Sequence, residues 1–204
     1  MGTKIHWETI HQTKSPQQVS WYQDHPTLSL EFIQRTRVEP ASPIIDIGGG
    51  ISTLADHLLE AGYSNLTVLD ISAAALETAR QRLSTRAAGV NWIEADITQI
   101  NLPADAFDIW HDRAVFHFLI QPEARQRYIE TARRAVKKGG HVIIATFASD
   151  GPPQCSGLDV RRYSPESLQE EFGAGFQLVD SAQEVHRTPF STEQKFTYCY
   201  FRLR

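Results

Sequence analysis

Cysteine is scarce in this chain of 204 residues: Cys155 and Cys199 are the only two, far apart and in no metal-ligand spacing. That argues against a disulfide framework or a thiolate metal site and points to a reducing, intracellular setting. Charge of one sign is lacking too. Twenty basic against 24 acidic residues leave a formal net charge of −4, which disfavours broad electrostatic binding of nucleic acid. No apolar run approaches the length needed to span a bilayer. The opening Met1-Gly2-Thr3-Lys4-Ile5-His6 carries no apolar signal-peptide stretch, and His6 stands where a myristoylation signal needs Ser or Thr. The expectation is a cytoplasmic protein, monomer or homodimer, without a membrane or nucleic-acid partner. What is present is ordinary: 41% hydrophobic and 22% charged residues suit a single globular domain with a sizeable core.

From residue 44 onward, short β-type runs alternate with helical patterns, the signature of a parallel sheet covered by helices. Strands are expected at Ile44–Ile47, Leu66–Asp70, Val90–Ile93, Phe107–Trp110 and His141–Phe147. The intervening helices carry Leu54, Ala55, Leu58 and Leu59, then Leu76, Ala79 and Leu83, then Ala124, Tyr128, Ala132 and Ala135 on one face each. Ser72 is placed to cap the second of these. Lys137-Lys138-Gly139 reads as the end of the third, with cations and a left-handed glycine where the helix stops. Ser164-Pro165-Glu166 opens a short helix, and Phe176–Val185 with Lys195–Arg204 form a terminal antiparallel pair joined across Thr188-Pro189. The spacing therefore predicts one α/β domain over 1–204: a Rossmann-like, seven-stranded, mostly parallel sheet with helices on both faces and an antiparallel last strand. Residues 1–43 form an aromatic helical lid or extension, 44–147 a cofactor-binding core, and 148–204 a substrate-side loop, helix and β-hairpin.

A glycine triplet, Gly48-Gly49-Gly50, follows the first strand and precedes a helix, so backbone can approach a ligand closely and free N–H groups favour an anion. Asp70 ends the next strand about 20 residues beyond Gly50, where a carboxylate can accept from both ribose hydroxyls. Asp96 follows the third strand at the same sheet edge. Three strand ends carrying glycines and acids at that edge favour a nucleoside site. The set Ile45-Asp46-Ile47-Gly48-Gly49-Gly50, Val68-Leu69-Asp70-Ile71-Ser72, Glu94-Ala95-Asp96-Ile97, Phe107-Asp108-Ile109-Trp110 and Lys138-Gly139-Gly140 resembles the class I S-adenosylmethionine-dependent methyltransferases over roughly residues 40–147. The resemblance implies that Gly48–Gly50 face the methionine portion, Asp70 the ribose and Asp96 the adenine amino group, with Ile71 and Ile97 sandwiching the adenine. Ser52 stands where the family usually has a third glycine. Asp46 either contacts the cofactor or caps backbone amides.

Methyl transfer from a sulfonium needs alignment, exclusion of water and a deprotonated acceptor; it requires no covalent nucleophile, and no metal cluster is spelled here. Candidates lie after strand four, in His111-Asp112-Arg113-Ala114-Val115-Phe116-His117-Phe118. His111 and Asp112 are expected beside the methionine moiety. Arg113 fixes a substrate anion or pairs with Asp112. His117 is the general-base candidate because its ionisation can be tuned near neutral pH, against the alternative of a packed histidine. After strand five, Arg162 and Tyr163 are substrate candidates, and Cys155 a reactive thiol or a packed one. Trp21 and Tyr22 close on the sulfonium as aromatic lid residues or belong to the core. The N-terminal segment and the His-Asp-Arg stretch also resemble a bacterial-type methyltransferase subgroup, with some likeness to protein-lysine methyltransferases. Expected is S-adenosylmethionine as donor, S-adenosylhomocysteine as product and a small-molecule acceptor. A protein lysine comes second, and a nicotinamide-dependent oxidoreductase or a non-catalytic cofactor-binding module after it.

Overall fold

In the computed structural model, which describes residues 2–204, Ile44–Ile47 form strand β1 and all four are buried. A strand covered on both faces belongs in the middle of a sheet, and that is where it lies. Leu66–Asp70 (β2), Val90–Glu94 (β3), Phe107–Arg113 (β4), Val136–Phe147 (β5), Phe176–Arg187 (β8) and Glu193–Leu203 (β9) complete seven strands in the order β3-β2-β1-β4-β5-β9-β8. Neighbours from β3 through β5 pair in parallel, and β9 runs antiparallel to both β5 and β8. A two-stranded hairpin of Gln154–Cys155 (β6) and Leu158–Asp159 (β7) stands apart from this sheet. The expected Rossmann-like architecture with its reversed final strand is present.

Side-chain alternation divides the core. Ile45, Ile47, Trp110 and Ile144 pack with Tyr128 and Ala132 of helix α5 (Pro122–Ala135) and with Leu168 and Phe172 of α6 (Pro165–Phe172). Ile44, Val68, Ile109 and Ile143 face the other way. They meet α2 (Thr27–Arg35), α3 (Leu54–Glu60) and α4 (Ala73–Leu83). Strand order reverses between β1 and β4, and an open α/β sheet binds its ligands in the crevice at such a switch point.

Two local expectations gave way to tertiary pairing. Lys137-Lys138-Gly139 does not end α5; the helix stops at Ala135 and the chain turns at once into β5, with Val136 paired to Phe107. Gly139 still takes a left-handed φ of 75°, but within the strand. Within the helical extension expected over residues 1–43, where Val19–Tyr22 reads as one of the helical pieces, that segment is instead a turn between a short 3-10 segment at Pro16–Gln18 and α2.

The N-terminal helix α1 (Gly2–Thr13) docks through one carboxylate. Glu8 Oε2 accepts from Ser72 Oγ at 2.8 Å and Oε1 from the Ala74 N–H at 3.2 Å. An acid at the positive end of α4 is favourable. Burial alone would raise the Glu8 carboxyl, but these hydrogen bonds outweigh it and hold it below its ordinary value. Glu8 thus ties α1 to the turn that follows β2.

Candidate active site

Above the carboxyl edge of β1, β2, β3 and β4 lies a cavity of about 630 Å³. Its lining includes Gly48, Asp70, Ile71, Asp96 and Ile97 together with Trp7, Trp21, Phe118 and residues of the β6–β7 hairpin. A smaller recess of about 60 Å³ continues past the glycine turn to Asp46, Ser29 and His111. Both spaces share His11, Trp21, Gly48, Asp70 and Arg113.

The glycine turn is built around backbone approach. Gly48 has a φ of 69°, and its N–H donates to the Leu69 carbonyl at 2.7 Å. A Cβ there would lie 2.1 Å from Val115 Cγ2. Gly48→Ala is accordingly expected to cost about 2–4 kcal/mol from left-handed strain and overpacking and to narrow the cavity. Thermal melting would report the first effect and calorimetric titration with S-adenosylmethionine the second. At Ser52 the hydroxyl accepts from the Leu54 N–H at 3.1 Å, so the serine in place of the third glycine starts α3.

Asp70 is buried at the end of β2. Its Oδ2 accepts from the Gly50 N–H at 3.0 Å and its Oδ1 from the Ser72 N–H at 2.8 Å. Burial raises its carboxyl to about 6 against the pull of those bonds. Asp96, half-buried, accepts from the Thr98 N–H and hydroxyl and from Gln99 Nε2 at 2.7–2.9 Å, which fixes its orientation at the cavity wall.

A buried polar chain runs from the glycine turn to the terminal hairpin. Asp46 Oδ1 lies 2.7 Å from His111 Nδ1, and His111 Nε2 lies 2.9 Å from Ser29 Oγ. Ser29 Oγ is 3.4 Å from Tyr198 Oη. Tyr198 Oη accepts from Arg113 Nε at 3.0 Å. Arg113 also donates to the Trp21 carbonyl at 3.0 Å and to Glu184 Oε2 at 3.2 Å, with its guanidinium 4.3 Å above the Phe196 ring. Gln23 Nε2 closes the chain on Glu184 Oε1 at 2.9 Å. Ser29, Glu184, Tyr198 and Gln23 went unmarked in the sequence because their role rests on contacts between distant segments. The other Asp46 oxygen, Oδ2, is buried without a hydrogen-bond partner among the described residues.

Residues 44–140, just under half of the chain, match the methyltransferase domain family. They form the domain of an S-adenosylmethionine-dependent methyltransferase. Among curated relatives, the eEF1A lysine and N-terminal methyltransferase of Bos taurus is 22% identical over 153 residues, which is 72% of this chain. The match spans only 22% of that longer protein. Among solved structures, the one reported for the conversion of a disulfide bond into a thioacetal group during echinomycin biosynthesis is 18% identical. It has a TM-score of 0.80, covering 100% of this chain and 92% of the other. The 1,6-didemethyltoxoflavin-N1-methyltransferase of Burkholderia thailandensis, solved with 1,6-didemethyltoxoflavin and S-adenosylhomocysteine, has a TM-score of 0.72 at 16% identity. That match covers 99% of this chain and 88% of the other. At such identities these structures establish the fold.

Within this methyltransferase the sequence-derived site residues separate into two groups. Ile71, Asp96 and Ile97 line the main cavity, Asp46, Gly49, His111 and Tyr22 line the recess, and Trp21, Gly48, Asp70 and Arg113 line both. Gly50 reaches the site through its N–H to Asp70. The other group is not there. His117 is fully buried between Phe118 and Phe147, its rings 4.5 and 4.7 Å away, and it lines neither space. Its Nδ1 accepts from the Phe147 N–H at 3.2 Å, and burial, with Arg113 adding to it, lowers the ring to about 3. Tyr163 is fully buried against Phe116, and exposed Arg162 donates to the Gly151 carbonyl at 3.1 Å. None of the three lines either space; in each case the described contacts are with neighbouring protein groups.

Asp112 pairs in register with Ile47 but lines neither space and does not pair with Arg113. Alternation along β4 sends it to the opposite face, where it accepts from Tyr128 Oη at 2.6 Å, while Arg113 pairs with Glu184. Cys155 lines the cavity, but burial pushes its thiol up to about 11, which leaves it protonated and unreactive.

Proposed function

We propose that this methyltransferase moves a methyl group from S-adenosylmethionine to a small-molecule acceptor by in-line displacement. The observation carrying the acceptor class is the size and lining of the cavity. At about 630 Å³ it falls within the range of small-ligand sites, and Trp7, Trp21, Phe118 and the β6–β7 hairpin contribute to its walls. A pocket of that size walled by this chain's own aromatic residues suits a free small molecule.

The residues fit the donor. Asp46 Oδ2 is an unpartnered buried carboxylate oxygen at the recess beyond the glycine turn, suited to an ammonium such as the one on a methionine moiety. Asp70 has two lone-pair sites left after Gly50 and Ser72 are satisfied, enough for two ribose hydroxyls. Ile71 and Ile97 supply apolar faces for an adenine, and Asp96 an acceptor for its amino group. His111, clamped between Asp46 and Ser29, holds the Asp46 carboxylate in place. Trp21 and Tyr22 close the site at the N-terminal side. Bound there, S-adenosylmethionine supplies an electrophilic methyl group on a sulfonium and leaves as S-adenosylhomocysteine. The chain itself orients the two reactants and excludes water.

A protein lysine is the second reading, favoured by the lysine and N-terminal methyltransferase named among the relatives and by the slender shape of a lysine side chain. Incubation with labelled S-adenosylmethionine and a fractionated cell extract separates the two. Label is expected in the small-molecule fraction; label confined to a protein band would overturn the small-molecule acceptor. Calorimetry in which NAD binds and S-adenosylmethionine does not would overturn the donor.

A further inference from the structure

His11 belongs to α1, was not among the sequence candidates, and faces both the main cavity and the recess. Its ring stacks on Trp7, with centroids 6.3 Å apart and planes at 24°, and meets Trp21 edge-on at 6.2 Å. Two indoles therefore fix its orientation. Neither ring nitrogen has a hydrogen-bond partner among the described residues. The other titratable groups lining the main cavity already hold hydrogen bonds, except Cys155, whose thiol burial keeps protonated. Asp70 and Asp96 hold backbone N–H groups, and His111 is closed between Asp46 and Ser29. Asp159 binds Gln154, and Arg113 binds Glu184, Tyr198 and Trp21.

We propose that His11 is the catalytic residue that takes the acceptor's proton, and that the acceptor is a flat, uncharged molecule presenting an N–H or O–H. This rests on the methyl-transfer reading above. Trp7, Trp21 and Phe118 line the cavity and meet one another edge-on, Trp7 against Trp21 at 5.6 Å and 83° and against Phe118 at 5.0 Å and 72°, so the wall beside His11 is an aromatic corner that suits an aromatic acceptor. Arg113, the only cation lining either space among the described residues, is already paired, so nothing calls for an anionic acceptor. In the step, the acceptor's heteroatom forms its bond to the methyl carbon as the carbon–sulfur bond breaks. The electron pair of that bond stays on sulfur, and the heteroatom's proton passes to a free nitrogen of His11, which returns it to water.

Burial lowers the His11 ring to about 4, with Glu8 on the same helix opposing, so the imidazole is neutral and its lone pair is available at neutral pH. The charged or titratable groups facing it across the recess are Asp46 from β1, Asp70 from β2, His111 and Arg113 from β4, and Tyr22. So weak a base suits an acceptor that becomes strongly acidic on methylation, as a heteroaromatic N–H does. It does not suit an alkylammonium near pH 10.4.

The test compares wild type, His11→Ala and His11→Asn on 4-hydroxyquinoline and benzimidazole, which carry the proton, and on 4-nitrobenzenethiol, which is already ionised at neutral pH. Expected is a fall in kcat of about 100-fold or more on the first two, an unchanged rate on the thiolate, and S-adenosylmethionine affinity within about threefold by calorimetry. Asn holds ring-sized polarity in place should Ala disturb α1. Equal loss on all three probes, loss of donor affinity, or no loss at all would overturn the role of His11. Wild type that binds the donor yet turns over none of the probes would overturn the flat-acceptor class, and wild type that fails to bind the donor would overturn the donor reading beneath it.

Discussion

Asp70→Ala is expected to weaken S-adenosylmethionine binding by about 100-fold or more. Hydrogen bonds to a charged partner contribute about 1.5–3 kcal/mol each, each 1.4 kcal/mol is tenfold in affinity, and two ribose hydroxyls would be lost together. The same change strands the N–H groups of Gly50 and Ser72, so the turn loosens as well. Isothermal titration reads the affinity, and an unchanged Kd would remove Asp70 from the ribose site. A pH dependence follows from the same carboxyl. Burial lifts it from 3.8 to about 6 in the folded protein, so between those values the folded chain keeps a proton that the unfolded chain has released. Its contribution to stability is therefore present at low pH and withdrawn as pH rises through about 6. Binding runs the other way, because the ionised carboxylate is the better acceptor. Affinity for the donor should rise as pH climbs through about 6 and then level off.

Asp112→Ala should destabilise the fold by about 3–5 kcal/mol, because it orphans buried donors rather than merely removing a contact. The carboxylate is fully buried and accepts from the Val115 N–H at 2.8 Å, the Phe116 N–H at 3.1 Å and Tyr128 Oη at 2.6 Å. Tyr128 Oη in turn accepts from Trp110 Nε1 at 2.8 Å. For a chain of this size each kcal/mol moves Tm by about 2–4 °C, so a fall of about 10 °C is the expected result. Asp112→Asn keeps the shape and one acceptor oxygen and should lose about half as much. Thermal melts of the two variants decide the point, and equal, small shifts would show that the turn holds without the carboxylate.

The cofactor end of the site was legible because its parts are local. Strand, glycine turn and helix lie within residues 44–60, and Asp70 and Asp96 each end a short apolar run. What failed to read shares one cause: residue type tells which chemistry a side chain can do, not which way its backbone aims it. His111 and Asp112 are adjacent, yet the β4 pleat sends one to Ser29 and the other to Tyr128. His117 carries the right chemistry for a base and lies sealed among phenylalanines. Glu8, Ser29, Glu184 and Tyr198 act across long stretches of sequence and leave no local trace. At Lys137-Lys138-Gly139 a sound local signal for a helix end lost to strand pairing, because Val136 already pairs with Phe107 of β4 and β5 begins before the expected cap.

The polar chain through Arg113 has a consequence for the order in which the molecule assembles. Its partners are Trp21 and Gln23 before the sheet and Glu184 and Tyr198 in the last hairpin, and Ser20 meets His186 and Gln194 across 166 and 174 residues. Contacts of such span bear the full loop-closure cost and come late in folding. During synthesis the glycine turn and Asp70 emerge long before Glu184 does, so Arg113 can already hold the Trp21 carbonyl while its Tyr198 and Glu184 partners are still unmade. The wall that Arg113 builds beside the recess is thus finished only with the last hairpin.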